Sequence, residues 1–202
     1  MLIASSLMLS QLLRRHTVGR ARFKKWEWSV NRGFRTGALG TVSIDALDEI
    51  RDHVLQALEH YVSRDGTTSI YRMHSVARDT RVQTWHVLVR HVDGYSTPIA
   101  LRPATAAVSL VDLMQLQLFP KLSSETRFNV YGLRAIDARQ LATGPSRALL
   151  PPDIGLIRNA DAIILDFTTR PFDPVELSRV CDVAKQIAEQ LAKTAQRQTP
   201  AR

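Results

Sequence analysis

The sequence predicts an α+β fold built on a mostly antiparallel sheet. Three observations predict it: segments of alternating apolar and polar residues, a continuous apolar run near the C-terminus, and amphipathic segments flanking them. At 202 residues, 45% of them apolar, the chain is long enough for one sizeable core. We expect a basic targeting or tail segment over 1–22, a single α+β domain over 23–197 and a frayed C-terminus over 198–202.

The N-terminal part is strongly basic. Residues 1–44 hold 8 Lys and Arg against 1 acid, whereas residues 45–202 hold 19 against 18. The apolar run Leu2–Leu13 precedes these charges and falls short of the roughly 18 residues that span a bilayer. An apolar, then Arg-rich and acid-poor order is typical of a mitochondrial presequence. It predicts a mitochondrial protein, in the matrix or at the inner-membrane surface, without a transmembrane span.

The same cations allow a second interpretation. They are interleaved with Phe23, Trp26 and Trp28, a mixture used by single-strand RNA binders and by helices on anionic membranes. Trp26 and Trp28 are two residues apart and would point to the same face of a strand. We therefore predict a strand over 26–30 whose aromatic side closes the core. The candidate contacts to nucleic acid or membrane are Arg14, Arg15, Arg20, Arg22, Lys24 and Lys25.

Residues 44–63 are predicted to form the first long amphipathic helix. Ser43 or Asp45 can cap its start, and Gly66 ends it. The three glycines of "GFRTGALG" before it lack the dinucleotide spacing and are interpreted as flexible turn residues. The apolar residues of the helix recur at three- and four-residue steps: Ile44, Leu47, Ile50, Val54, Leu58 and Tyr61.

Three strands are predicted next, in "TTSIYRMHSVA", near 82–92 and near 95–102. Asp93-Gly94 is a strong hairpin signal, so the second and third of these strands should pair. Pro98 cannot donate a ladder hydrogen bond and places the third strand at an edge. In the second strand, Trp85, Val87 and Val89 should face one side, and His86, Leu88 and Arg90 the other.

A shorter helix is predicted near 106–119, because Ser109 and Asp112 have capping-box spacing and Pro120 is a stop. The alternation of Met114, Leu116 and Leu118 keeps a strand as the alternative for this segment. A strand with Phe128 and Val130 on one face follows, and 137–153 then forms the longest irregular connection.

The C-terminal quarter has the clearest pattern. "ADAIILDF" is continuously apolar and predicts a strand covered on both faces. The second long helix, about 174–196, opens with Asp173 as N-cap and Pro174 at its first position. Its apolar stripe consists of Leu177, Val180, Cys181, Ala184, Ile187, Ala188 and Leu191.

Common catalytic and cofactor motifs are absent from the sequence, so we predict neither a cofactor nor a metal site. Cys181 is the only cysteine and lies in a core stripe, which indicates a structural thiol. His74, His86 and His91 could meet, but His86 and His91 point to opposite faces of a strand. Asp166 ends the apolar strand and is a candidate acid, with a surface ion pair to Arg170 as the favoured interpretation.

Two short segments resemble rhabdovirus matrix proteins: "WSVNRGFRT" before an amphipathic helix, and "DIGLIRNADAIILDF" before the last helix. The resemblance implies a basic N-terminus and an α+β domain that bridges membrane and nucleoprotein. The Pro-rich budding motif of that family is missing here, and the Arg-heavy composition is unlike most of its members.

These observations favour a non-catalytic accessory or structural subunit of a larger mitochondrial assembly, with other protein subunits as partners. The first alternative is a basic adaptor, including a viral matrix-type protein, that binds RNA or anionic membrane through its N-terminal segment. The second is a small enzyme with the 137–153 loop as lid and Asp166 as the acid.

Overall fold

The computed structural model describes residues 2–41, 53–77, 82–92, 98–114, 116–119, 122, 127–136, 139, 141, 144–159 and 161–198. The elements whose bounds lie in the described part of the chain follow in this order: α1 (Leu2–Asn31), β1 (Phe34–Thr36), β2 (Gly40–Thr41), β3 (His53–Ser63), β4 (Thr68–Ala77), β5 (Val82–His91), β6 (Ile99–Pro103), a 3-10 turn (Leu110–Leu113), β7 (Gln117–Leu118), β8 (Phe128–Gly132), α2 (Pro145–Leu149), β9 (Gly155–Asn159), β10 (Ala162–Asp166) and α3 (Pro174–Gln198).

The described strands form one sheet in the order β1-β3-β4-β5-β10-β9-β6-β8-β7, with β2 also paired to β3. Every pairing is antiparallel. The prediction of an α+β fold on a mostly antiparallel sheet is therefore confirmed. β10 lies at the centre of the sheet, between β5 and β9, and its five residues are all buried.

Apolar side chains fill both sides of this sheet. On the helical face, α3 contributes Leu177, Val180, Ala184 and Ile187 to a core with Phe128, Phe167, Leu88 and Leu165. On the opposite face, Met73, Trp85, Val87 and Val89 belong to a second core with Leu110 and Val111 of the 3-10 turn. The alternation predicted for β5 is thus confirmed, because Leu88 and its odd-numbered neighbours lie in different cores.

The second long helix is confirmed as α3. Asp173 caps it as predicted: its Oδ1 accepts hydrogen bonds from the backbone N–H groups of Val175 and Glu176, at 3.0 Å each. Four residues of the predicted stripe are fully buried, and Cys181, Ala188 and Leu191 are partly buried.

The strand predicted over 26–30 is wrong, because these residues lie in α1. Successive helical residues turn by about 100°, so Trp26 and Trp28 point in nearly opposite directions. Trp28 is buried at 7% exposure, whereas Trp26 is 57% exposed. Only one of the two rings therefore belongs to the core.

The helix predicted over 44–63 is wrong for the described residues 53–63. Residues 53–63 form strand β3, and residues 44–52 lie outside the described part of the chain. The register of β3 against β4 shifts between Ala57 and Glu59, which leaves Leu58 as a β-bulge. Because of this extra residue Leu55 and Tyr61 face opposite sides of the sheet, and the apolar spacing imitates that of a helix.

The predicted helix near 106–119 is reduced to one 3-10 turn followed by strand β7. The capping box itself is present: the Ser109 N–H donates to Asp112 Oδ2 at 3.0 Å, and Ser109 Oγ caps the turn. The alternation of Met114, Leu116 and Leu118, which indicated a strand as the alternative, was correct at 117–118. Within the connection predicted as irregular, 145–149 form the short helix α2, and 137, 138, 140, 142 and 143 lie outside the described residues.

The predicted hairpin of β5 with β6 is also wrong. Both edges of β5 are occupied, by β4 and by β10, and β6 pairs instead with β8 and β9. Asp93 and Gly94 lie outside the described residues. β6 is therefore not an edge strand, and Pro98 is accommodated because it precedes the first paired residue, Ile99.

Candidate functional site

Helix α1 is attached to the domain at its C-terminal end by Trp28. The indole Nε1–H donates to Ser178 Oγ of α3 at 2.9 Å. The ring stacks on Phe34 at 5.2 Å between centroids and meets Tyr61 edge-on at 5.7 Å. These contacts fix the direction in which the rest of α1 faces.

A charged cluster of Lys25, Glu59 and Arg72 secures the preceding turn of α1. The Lys25 ammonium pairs with Glu59 Oε2, and Arg72 Nη1 donates to Glu59 Oε1 at 3.0 Å. Lys25 also lies over the Phe172 ring, 5.6 Å from its centroid. Burial acts to raise the pKa of Glu59, but the two cations outweigh it and hold the pKa below its ordinary value of 4.5.

The predicted contact residues therefore divide into two groups. Arg20, Arg22 and Lys24 are exposed on α1. Lys25 faces the sheet and is occupied by Glu59, so it is not part of the exposed basic surface. Arg14 and Arg15 lie further along the same helix.

The side of α1 that faces away from the sheet carries an apolar strip, which we call the outer face. It consists of Phe23, Trp26 and Val30, whose exposed fractions are 61%, 57% and 45%. The Phe23 and Trp26 rings touch, with centroids 5.7 Å apart. The spacing of three and four residues was a signal in the sequence, but the prediction of a strand at 26–30 concealed it.

Asp166, the candidate acid, is only 4% exposed and is held by four hydrogen bonds. Its Oδ2 accepts from Ser109 Oγ at 2.9 Å and from the Leu110 N–H at 2.7 Å. Its Oδ1 accepts from the Thr168 N–H and Oγ1, at 3.1 and 2.6 Å. The carboxylate thus joins β10 to the start of the 3-10 turn.

The predicted surface pair of Asp166 with Arg170 does not form. Arg170 instead binds Asp153 through two contacts, at 2.7 and 2.5 Å, and also pairs with Glu176 of α3. The hydrogen bond from Arg170 outweighs burial and lowers the pKa of Asp153. This guanidinium connects the segment before β9 to the start of α3.

The remaining candidate groups are also tied to the fold. His86 Nδ1 donates to the Arg170 carbonyl oxygen at 2.8 Å, and burial lowers the pKa of this histidine. Burial raises the pKa of the Cys181 thiol to about 12, which disfavours the thiolate that nucleophilic attack requires. No cluster of three metal-ligating side chains occurs among the residues with described positions. In the same part of the chain, no helix combines the length and the apolar character needed to cross a bilayer.

The fold has a match among solved structures. The mycobacterial trehalose monomycolate transport factor A, TtfA, aligns over 89% of this chain and 96% of its own, with a TM-score of 0.51 and 13% sequence identity. At this identity the match shows a shared fold only. No protein-family model matches the chain. No curated protein sequence matches it either.

The mitochondrial localisation predicted from the basic N-terminus is wrong. The solved structure reported above, which shares the fold, is of a mycobacterial protein, and this does not fit a mitochondrial localisation.

Proposed function

We propose that this protein is a non-catalytic accessory subunit, an adaptor whose α+β domain holds α1 in a fixed direction and presents its outer face to a larger assembly. One observation carries the proposal: Phe23 and Trp26 are more than half exposed on a helix that Trp28 and Lys25 anchor firmly. Large apolar side chains grouped on one exposed strip are typical of a binding surface.

Two further observations support an adaptor over an enzyme. Both carboxylate oxygens of Asp166 accept hydrogen bonds from groups within the fold. Asp153, in the segment proposed as a lid, is paired with Arg170. A protein that shares this fold, mycobacterial TtfA, is named a transport factor. The enzyme with a site near 137–153 is thus the weaker hypothesis.

The experiment compares three variants in cells that lack the native gene. The adaptor hypothesis expects Phe23→Ser/Trp26→Ser to lose function although the domain stays folded. Asp166→Asn and Asp153→Asn should retain function in proportion to their folded fraction, measured by circular dichroism. The opposite pattern, with the outer face dispensable and Asp166 or Asp153 essential in a folded protein, would favour the enzyme and overturn the adaptor.

A further inference from the structure

We infer that the outer face of α1 docks on an anionic lipid surface, with the helix lying along the membrane plane. The inference rests on the proposed adaptor function and names the partner of its binding surface. Its starting point is the arrangement of Phe23, Trp26 and Val30, which face away from the sheet and toward solvent.

Cations flank this apolar strip on both sides. At about 100° per residue, Arg22 and Arg20 lie roughly 70–90° to either side of its centre. Both are exposed, as is Lys24. Among the described residues no carboxylate pairs with any of the three. Arginines beside an aromatic strip can extend to lipid phosphates while the rings enter the acyl boundary.

The charge of the whole helix agrees with this partner. α1 contains six Lys and Arg, and Glu27 is its one acid. Lys25 pairs with Glu59, whereas Arg20, Arg22 and Lys24 are exposed and can reach an anionic surface. Arg14 and Arg15 add to the positive charge of the same helix. Each cation near such a surface contributes about 1 kcal/mol of attraction.

The apolar residues that precede the charges favour lipid over RNA. Leu2–Leu13 belong to the same helix, and at 1.5 Å per residue they extend about 18 Å. That is too short to span the roughly 30 Å hydrocarbon core. In a helix that lies along the membrane plane, this stretch would instead lengthen the apolar contact at the boundary of headgroups and acyl chains. Single-stranded RNA would use the aromatic rings and the cations but has no use for an apolar segment.

The test is sedimentation of the full chain with phosphatidylcholine vesicles that contain either no anionic lipid or roughly a third phosphatidylglycerol. We expect binding to the anionic vesicles, reduced by salt, and a blue-shifted Trp26 emission obtained as the difference from Trp26→Phe. Arg20→Glu/Arg22→Glu and Phe23→Ser/Trp26→Ser should each lower the affinity by about tenfold or more.

The matched controls lie on α3, where Val175, Lys185 and Lys193 are also exposed. Lys185→Glu/Lys193→Glu and Val175→Ser should change vesicle binding by less than about twofold, because the contribution of about 1 kcal/mol per cation applies only to cations near the lipid surface. Equal losses in control and outer-face variants would overturn the inference, since they would indicate a general charge effect.

Two other outcomes would overturn the lipid assignment. One is no binding to anionic vesicles by the folded chain. The other is binding of single-stranded RNA that needs Phe23 and Trp26 while vesicles do not bind. In either case, loss of function by Phe23→Ser/Trp26→Ser in cells would leave the adaptor hypothesis standing with a different partner.

Discussion

At the scale of single residues, Gly37 shows how closely backbone and side chain approach in this fold. A Cβ at Gly37 would lie 2.1 Å from His60 Nδ1, and its own N–H donates to the His60 carbonyl at 2.9 Å. The His60 ring stacks on Tyr71 at 4.2 Å and hydrogen bonds to the Ala38 carbonyl, so it cannot retreat easily. The sequence interpretation as a flexible turn glycine missed this contact.

Gly37→Ala should therefore destabilise the protein by about 1–3 kcal/mol, the usual cost of overpacking. Urea unfolding of the single and double variants with His60→Ala measures it. Because His60→Ala removes the obstructing ring, adding Gly37→Ala to it should cost much less than in the native chain. Additive losses in the double variant would show that the ring is not the cause.

At the scale of elements, the ion pairs of Glu59 with Lys25 and Arg72 connect α1 to the sheet. Glu59→Gln removes the ion pairs of Lys25 and Arg72, and we expect a loss of about 1–3 kcal/mol in the free energy of unfolding at neutral pH. The pKa of Glu59 is lowered on folding, so its contribution is present above the ordinary value of 4.5 and is lost as the pH falls through the lower folded pKa.

The difference in stability between the native chain and Glu59→Gln should thus shrink below pH 4.5. Denaturant unfolding at neutral and acidic pH tests it. Glu189→Gln on the exposed side of α3 is the control and should have little effect at any pH. A difference that is the same at both pH values would mean that the charge of Glu59 does not hold α1.

Local signals predicted some elements well and misled at others for a physical reason. α3 and β10 were predictable because helix capping, amphipathic spacing and continuous apolar runs are encoded within the element itself. β3 was missed because a bulge at Leu58 changes its spacing, and the bulge depends on pairing with β4. The Asp93-Gly94 hairpin was predicted wrongly, since β5 pairs with β10 from the far end of the chain.

The candidate site was predictable to a similar extent. The basic residues of α1 and the nearby aromatic rings were visible in composition. The sequence did not show which of these residues lie on the outer face and which contact the sheet. That assignment depends on the helical conformation of 26–30 and on Glu59, which lies more than thirty residues away. In a strand Trp26 and Trp28 would lie on the same face, whereas in the observed helix they point in nearly opposite directions.

At the scale of the whole molecule, the described contacts of α1 with the domain lie at its C-terminal end. Residues 17–24 are exposed, whereas Trp28 contacts Ser178, Phe34 and Tyr61. The predicted boundary between a tail over 1–22 and a domain over 23–197 falls within the helix, just before the ion pair of Lys25 with Glu59. The boundary can be tested by shortening α1 from its N-terminus in two steps.

Deletion of residues 2–22 should change the melting temperature by only a few degrees, because it removes no described core contact. Deletion of residues 2–30 also removes Trp28 and should lower it by about 10 °C, given a typical 3–5 kcal/mol for a buried Trp and 2–4 °C per kcal/mol in a domain of this size. Scanning calorimetry of both chains measures the two steps. Equal losses would place the domain boundary before residue 22, whereas a full-stability chain lacking Trp28 would show that the core does not need α1.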